Sequence, residues 1–267
     1  MRLTASHLRK LIRRLATWMT FGLMAGLLGF VVIAVGLNAN RSGISPTERA
    51  AALQLVTFPG AYTQILTFLL QIGGLLAVIY GAAIAGSEWA WGTLKTAVAR
   101  GESRSRYALT TFLAVAIITL LGIALALAVG VLGAIIGANL AGVSTSGIGD
   151  SKALGDLPNH FGRDVLAIIE QAGIGFAIAT LFRSQLAGIG AGIGFFFGEQ
   201  IASVFFPDVI RYLPFSVASA ATRLATSPNQ GLRHPLDPNV ALVWVVGWLA
   251  AALIFAAVYT ERAEITG

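Results

Sequence analysis

Long runs of apolar residues, separated by short polar segments, dominate the pattern of this sequence. A helix needs about 20 apolar residues to cross the hydrocarbon core of a bilayer. Six runs approach or exceed that length, at residues 17–37, 65–85, 109–137, 165–181, 186–206 and 240–259. The third run is longer than a bilayer requires, so we expect it to tilt or to project. The pattern predicts an all-α polytopic membrane protein with six transmembrane helices.

The composition supports this prediction. Only 11% of the 267 residues are charged, whereas a soluble domain carries about 25%. The mean hydropathy is +0.79, so the bilayer is the expected solvent and partner. The net charge of +6 does not indicate nucleic acid, because no basic run is interleaved with aromatic residues.

The basic residues are distributed unevenly between the two sides of the predicted bundle. Six spans place both termini on one side, so the loops fall into two sets. One set contains 11 of the 18 basic residues: Arg2, Arg9, Lys10, Arg13, Arg14, Lys95, Arg100, Arg104, Arg106, Arg183 and Arg262. Basic residues accumulate on the cytoplasmic side of membrane proteins. We therefore expect a multi-pass protein of the plasma membrane with both termini in the cytoplasm.

Residues 1–16 form an amphipathic segment ahead of the membrane domain, which we assign to residues 17–267. Apolar and basic positions separate at helical spacing, with Leu8, Leu11, Ile12 and Leu15 on one face and Arg9, Lys10, Arg13 and Arg14 on the other. Such a helix lies in the membrane interface with its basic face toward anionic headgroups. A basic anchor that only fixes topology is a compatible interpretation.

The loop between the second and third runs has the pattern of a short helix. It extends from Glu88 to about residue 100, and Gly101 follows it. Leu94 and Val98 are four residues apart, with Trp91 near the same side. A short, partly apolar helix held between two membrane helices suits docking on a partner. An ordinary basic cytoplasmic loop is the alternative interpretation.

The same loop resembles the signature of type-2 ABC transporter permeases, the ABC-2 family. In that family a glutamate closes the second span, Gly-Thr-Leu follows, and an arginine-rich turn opens the third span. This sequence has matching residues at Glu88, Gly92, Thr93, Leu94, Lys95, Arg100, Ser103, Arg104 and Arg106. It departs at Thr110 and Thr111, where family members often have a Gly-Lys pair.

The resemblance implies further features of layout and assembly. Residues 1–16 are similar to the family's elbow helix, and about 88–100, including Trp91, to its coupling helix. Residues 207–226 are similar to its re-entrant outer segment. The implied assembly joins two permease chains, identical or different, to two separate ABC ATPase subunits.

The sequence itself contains no G-x-x-x-x-G-K-[ST] motif. A chain without this loop lacks the usual cradle for nucleotide phosphates. We therefore expect no enzymatic activity and no cofactor on this chain, with ATP bound by the partner subunit.

Two glutamates interrupt the fourth and fifth apolar runs, and each is followed by glutamine. Glu170 and Glu199 flank a predicted hairpin turn near residues 182–185 at similar distances in sequence. At 1.5 Å per residue, both lie roughly 20 Å from that turn. Ionisable groups at membrane depth are costly and are often functional. The four residues Glu170, Gln171, Glu199 and Gln200 either satisfy one another structurally or line a substrate path, and Gln71 is a further candidate for the same polar layer.

These features favour the membrane subunit of an ATP-driven ABC exporter, which forms the substrate pathway and docks on a separate ATPase. The alternative is a secondary transporter or channel in which Glu170 and Glu199 handle ions. A scaffold or sensor without transport activity is a third interpretation. Adjacent spans give little sign of an inverted repeat, which weakens the secondary-transporter interpretation.

Overall fold

The computed structural model describes residues 2–39, 41, 45–222 and 236–263. Within these residues the chain is helical and forms no strand. The helices are α1 Arg2–Ile12, α2 Leu15–Asn38, α3 Pro46–Leu53, α4 Gly60–Phe68, α5 Gly74–Ala90, α6 Thr93–Ala99, α7 Arg104–Ala141, α8 Ser151–Phe182, α9 Gln185–Phe205, α10 Pro207–Ile210, α11 Pro214–Ala221 and α12 Pro238–Arg262. A π-helical turn, Leu69–Gly73, joins α4 to α5.

Six of these helical segments are long and apolar enough to cross a membrane. They are α2, the continuous segment Gly60–Ala90, α7, α8, α9 and α12. The six predicted spans and the all-helical class are therefore confirmed, and the chain is a multi-pass membrane protein. The helix α7 has 38 residues, about 57 Å at 1.5 Å per residue. That length is nearly twice the hydrocarbon core of about 30 Å.

The fourth span begins earlier than the apolar pattern indicated. The helix α8 starts at Ser151, where Asp150 accepts a hydrogen bond from the Ala153 backbone N–H at 2.8 Å. Its first half is polar and continues through Pro158. The apolar pattern predicted only the second half of this helix, because the first half, which begins at the Asp150 cap, is made of polar residues.

Small residues let the central helices approach closely. Gly81 on α5 faces the Ala172 backbone on α8, and Gly175 on α8 faces the Val78 backbone on α5. At both positions an added Cβ would overlap the neighbouring backbone. Close glycine-mediated contact is a common way to join helices where the hydrophobic effect is absent. The pair α5–α8 therefore forms the centre of the bundle.

One end of the bundle, here called the basic end, gathers segments that are far apart in sequence. It comprises α1, the connection through α6 into α7, the turn between α8 and α9, and the end of α12. The Arg183 guanidinium lies 5.3 Å from the ring centres of both Trp89 and Tyr259. Arg104 Nη1 donates to the Ala263 carbonyl at 2.6 Å. The predicted grouping of these loops on one side agrees with these contacts.

The opposite end contains two short helices between α9 and α12. These are α10 and α11, and they occupy the described part of the predicted outer segment 207–226. Residues 223–226 lie outside the described residues. The helix α11 packs against α8 and α12, and the Trp248 indole N–H donates to the Tyr212 carbonyl at 2.8 Å.

Candidate functional site

Glu88 lies at the end of α5 and is only 5% exposed. Lys10 Nζ donates to both carboxylate oxygens at 2.7 Å. Arg14 Nη2 donates to Oε1 at 3.0 Å, and Arg14 Nη1 donates to Ser87 Oγ at 2.7 Å. The carboxylate therefore binds the N-terminal segment to the end of the second span.

The same carboxylate also holds the segments that follow it. Thr93 Oγ1, at the start of α6, donates to Oε2 at 2.5 Å. The Tyr107 hydroxyl, near the start of α7, donates to Oε2 at 2.6 Å. We call Lys10, Arg14, Glu88, Thr93 and Tyr107 the Glu88 cluster. It joins α1, α5, α6 and α7 through one buried side chain.

Sequence reasoning selected Glu88 and Thr93 but missed the other members of the cluster. Lys10 and Arg14 were expected to face headgroups, yet they turn inward toward Glu88. The amphipathic helix also ends earlier than expected, at Ile12, and Leu15 already begins α2. The available signal was charge complementarity, because a single acid closes an apolar span on the side that is rich in basic residues.

His7 lies beside the Glu88 cluster and is buried. Its Nδ1 is 3.4 Å from Thr111 Oγ1, and its ring meets the Tyr107 ring edge-on at 4.8 Å between centres. Burial lowers the pKa of His7, and the nearby Glu88 carboxylate opposes that shift only in part. The packing of α1 on α7 therefore favours a neutral imidazole.

The helix α6 is shorter than the predicted helix over 88–100, because Gly92 interrupts it. Gly92 adopts φ +63°, a left-handed conformation that favours glycine. Leu94 is 3% exposed and packs inward rather than outward. Besides Ala99, the exposed residues of α6 and of the positions beside it are Trp91, Lys95, Thr96 and Arg100. We call these four residues the outer face of α6.

The remaining predicted coupling residues lie around the outer face of α6. The Arg14 guanidinium lies 4.7 Å from the Trp91 ring centre. Arg104 is tied to the end of α12, and Arg106 is exposed, 4.0 Å from Glu102. Ser103 Oγ accepts from the Arg106 backbone N–H at 3.3 Å and caps α7. The matching motif residues therefore form one continuous block at the basic end.

A second candidate site is a cavity of about 250 Å³ on the side of the bundle, here called the lateral cavity. The π-helical turn forms part of its wall, together with α5, α8, α9 and α11. Its polar lining residues are Gln71, Gln171, Glu199, Gln200, Ser203, Ser216 and Ser219. Single π-helical turns inside α-helices are frequent at functional sites.

Glu199 holds the helix α11 in place beside this cavity. It is 3% exposed, and its carboxylate accepts the backbone N–H groups of Ser216 at 2.5 Å and Phe215 at 3.2 Å. At the other end of α11, Arg163 Nη1 donates to the Ala221 carbonyl at 2.9 Å. An acid at the N-terminus and a base at the C-terminus both complement the helix dipole.

Glu170 lies apart from the other three predicted path residues. It is fully buried, it does not line the cavity, and neither carboxyl oxygen has a hydrogen-bond partner in the described part of the chain. It is close enough to Glu199 for their charges to interact. Gln171 is 2% exposed, and its Oε1 likewise lacks a partner among the described residues. The structure thus brings Gln171, Glu199 and Gln200 together and places Glu170 behind them.

Comparison with known proteins gives one family. Its sequence profile matches residues 26–265, and its description is "Protein of unknown function (DUF2705)". No curated protein matches the chain. The match covers five of the six spans entirely and 13 of the 24 residues of the first.

Proposed function

Because the chain belongs to the DUF2705 family, whose description assigns no activity, we propose a function from its own geometry. It is the membrane-spanning permease subunit of an ATP-driven exporter, and it docks on a separate ATPase subunit. The basic end faces the cytoplasm of the cell that carries the protein in its plasma membrane. ATP is bound by the partner, so this chain needs no cofactor and is not an enzyme.

The observation that carries the proposal is the Glu88 cluster. A docking helix transmits force only if it is rigidly attached to the spans that must move. The cluster fixes α6 to α1, α5 and α7 through a carboxylate with four side-chain donors. The outer face of α6 remains exposed beside this rigid block. Such an arrangement suits a helix that contacts a soluble partner and passes the partner's movement to the attached spans.

Introducing negative charge on the outer face of α6 tests the docking. The variant Thr96→Glu/Arg100→Glu places two acids on exposed positions and leaves the buried Leu94 intact. In mild detergent, the natural chain should co-purify with a soluble chain that bears a P-loop, and this variant should lose it. The matched control is Lys152→Glu, which alters an exposed basic residue at the opposite end. Equal recovery of the ATPase with both variants would place docking elsewhere.

A second permease chain belongs to the same proposal. The helix α9 is little buried within the chain, and Gly190, Gly194 and Gly198 have open space around them. Four-residue spacing of small residues allows close helix pairing in membranes. A second copy that packs on α9 would complete a homodimer. Replacing Gly194 by leucine should then reduce disulfide cross-linking between chains that carry one cysteine introduced in α9.

The secondary transporter remains a second candidate because Glu170 is fully buried without a partner among the described residues. Burying an ionised carboxylate without a partner costs free energy. The variant Glu170→Gln keeps the shape and removes the ionisable group, and it leaves the cap on α11 intact. An ATP-driven exporter should retain ATP-coupled transport in this variant. A proton- or ion-driven transporter should lose transport.

A further inference from the structure

We propose that the lateral cavity binds a small lipophilic ammonium compound, that is, an amine cation carried on an aromatic or aliphatic body. The inference rests on the proposed transport function and names the class of substrate. Three features of the cavity carry it: its acceptors, its aromatic rings and the position of its opening.

The polar lining offers acceptors and no fixed positive charge. None of the described lining residues is basic. Gln171 lies on the cavity wall, and its Oε1 is buried beside Gly74 without a hydrogen-bond partner in the described part of the chain. The Glu199 carboxylate also lies on the wall. A ligand cation is attracted to the Glu199 carboxylate, whereas an anionic group would be repelled by it.

Aromatic rings surround the same acceptors. Phe196, Phe197 and Phe215 all line the cavity, and the rings of Phe196 and Phe215 meet edge-on at 5.0 Å between centres. The face of an aromatic ring attracts an organic cation within about 6 Å. The combination of phenyl rings and a carboxylate therefore suits an ammonium group better than a neutral alcohol.

The position of the cavity's opening indicates the chemistry of the rest of the ligand. Gln71, Phe197 and Gln200 line the cavity and are exposed on the side of the bundle. Beyond them α9 presents the exposed apolar residue Val204, one helical turn from Gln200. A ligand that enters through this side comes from the bilayer, so its body is apolar. The volume of about 250 Å³ lies below the usual range for drug-sized ligands, which favours a single-ring amine.

Equilibrium dialysis against the purified full chain in lipid nanodiscs tests this inference. Three probes share one skeleton and differ in charge: 4-phenylbutylamine, which is protonated at pH 7, 4-phenylbutanol and 4-phenylbutyrate. Empty nanodiscs measure partitioning into lipid, which is subtracted. We expect saturable binding of the amine, about tenfold tighter than of the alcohol, and no saturable binding of the carboxylate.

Two variants and one control connect the binding to the cavity. Gln171→Leu replaces a polar side chain of the cavity wall with an apolar one and should weaken amine binding about tenfold. Phe197→Leu changes an exposed rim residue without disturbing the core, so it should also weaken binding severalfold. The matched control is Gln54→Leu, an exposed glutamine at the end of α3, which should bind like the natural chain.

The outcomes are decisive in either direction. Equal binding of the amine and the carboxylate, or unchanged amine binding in both variants, would overturn the inference. The measurement uses the permease chain alone, without an ATPase. Failure of amine binding would therefore leave the docking proposal intact, and failure of docking would leave the binding result intact.

Discussion

At the scale of the residue, two buried glutamates are stabilised in different ways. Glu88 is paired with the cations Lys10 and Arg14, whereas Glu199 accepts two backbone N–H groups at the start of α11. The sequence predicted a role for Glu88 from the loop that resembles the ABC-2 signature, and a role for Glu199 because an ionisable group at membrane depth is costly. It did not predict the partners, since they lie on elements that only the fold brings near.

Removing the charge of Glu88 should loosen the basic end. In Glu88→Gln, Arg14 loses its counter-ion while its side chain stays largely buried, at 11% exposed. Breaking a buried ion pair costs about 3–5 kcal/mol, and we expect the lower end because Lys10 is partly exposed. The melting temperature in detergent should fall, and trypsin should cleave within α1 more rapidly.

The control for Glu88 is Glu102→Gln, whose ion pair with Arg106 is exposed. An exposed pair contributes about 0–1 kcal/mol, so this variant should melt like the natural chain. Similar melting and cleavage of both variants would show that the Glu88 cluster does not hold α1.

His7 should make the stability of the basic end depend on pH. Its folded-state pKa is lowered from the ordinary value of 6.5 by burial, so the unfolded chain binds the proton more tightly. The stabilisation is therefore fully present above pH 6.5 and is lost as the pH falls through the lowered pKa. The charged groups that act on His7 are Lys10, Arg14, Glu88 and Glu102.

Melting temperatures measured between pH 8 and pH 5 check this dependence. The variant His7→Gln should show a smaller fall below pH 6.5 than the natural chain. The comparison variant Gln54→Leu, which changes an exposed residue at the end of α3, should keep the natural pH dependence. If His7→Gln shows the same fall as the natural chain, the dependence arises from another group.

At the scale of the element, the apolar pattern predicted the spans well but not their ends. Hydropathy placed all six membrane helices, because burial in lipid is the dominant constraint on each. It missed the polar first half of α8, which depends on the Asp150 cap. It also missed the π-helical turn Leu69–Gly73, because one extra residue in a helical turn does not interrupt a run of apolar residues.

Close contact between α5 and α8 gives a prediction at this scale. At Gly175 an added Cβ would overlap the Val78 backbone, which cannot move aside like a flexible side chain. Gly175→Ala should therefore separate the helices and cost about 1–3 kcal/mol, the usual range for overpacking. The control is Gly247→Ala on α12, where an added Cβ meets nothing within 4 Å.

Thermal melting in detergent distinguishes these two alanine variants. Gly175→Ala should melt well below the natural chain. Gly247→Ala should melt at or slightly above it, because alanine favours helix more than glycine does. Equal melting of the two variants would mean that the α5–α8 contact is looser than the structure indicates.

At the scale of the whole molecule, the sequence predicted the grouping of loops but not the cavity. Six spans and the distribution of basic residues were enough to place α1, α6 and the end of α12 together. The lateral cavity is lined by residues from Leu70 to Ser219, which no periodicity connects. Its polar residues were partly foreseen, because Gln71, Gln171, Glu199 and Gln200 interrupt apolar runs.

The orientation of the whole molecule gives the last prediction. Positive residues near membrane helices favour the cytoplasmic side, and 11 of the 18 basic residues belong to the basic end. The sequence contains no cysteine, so a single introduced thiol reports one position without background. In right-side-out vesicles, a membrane-impermeant maleimide should label Ser151→Cys, which is exposed at the start of α8. It should label Thr96→Cys on the outer face of α6 only after permeabilisation. The reverse order of labelling would invert the topology and remove any cytoplasmic ATPase as the partner of α6.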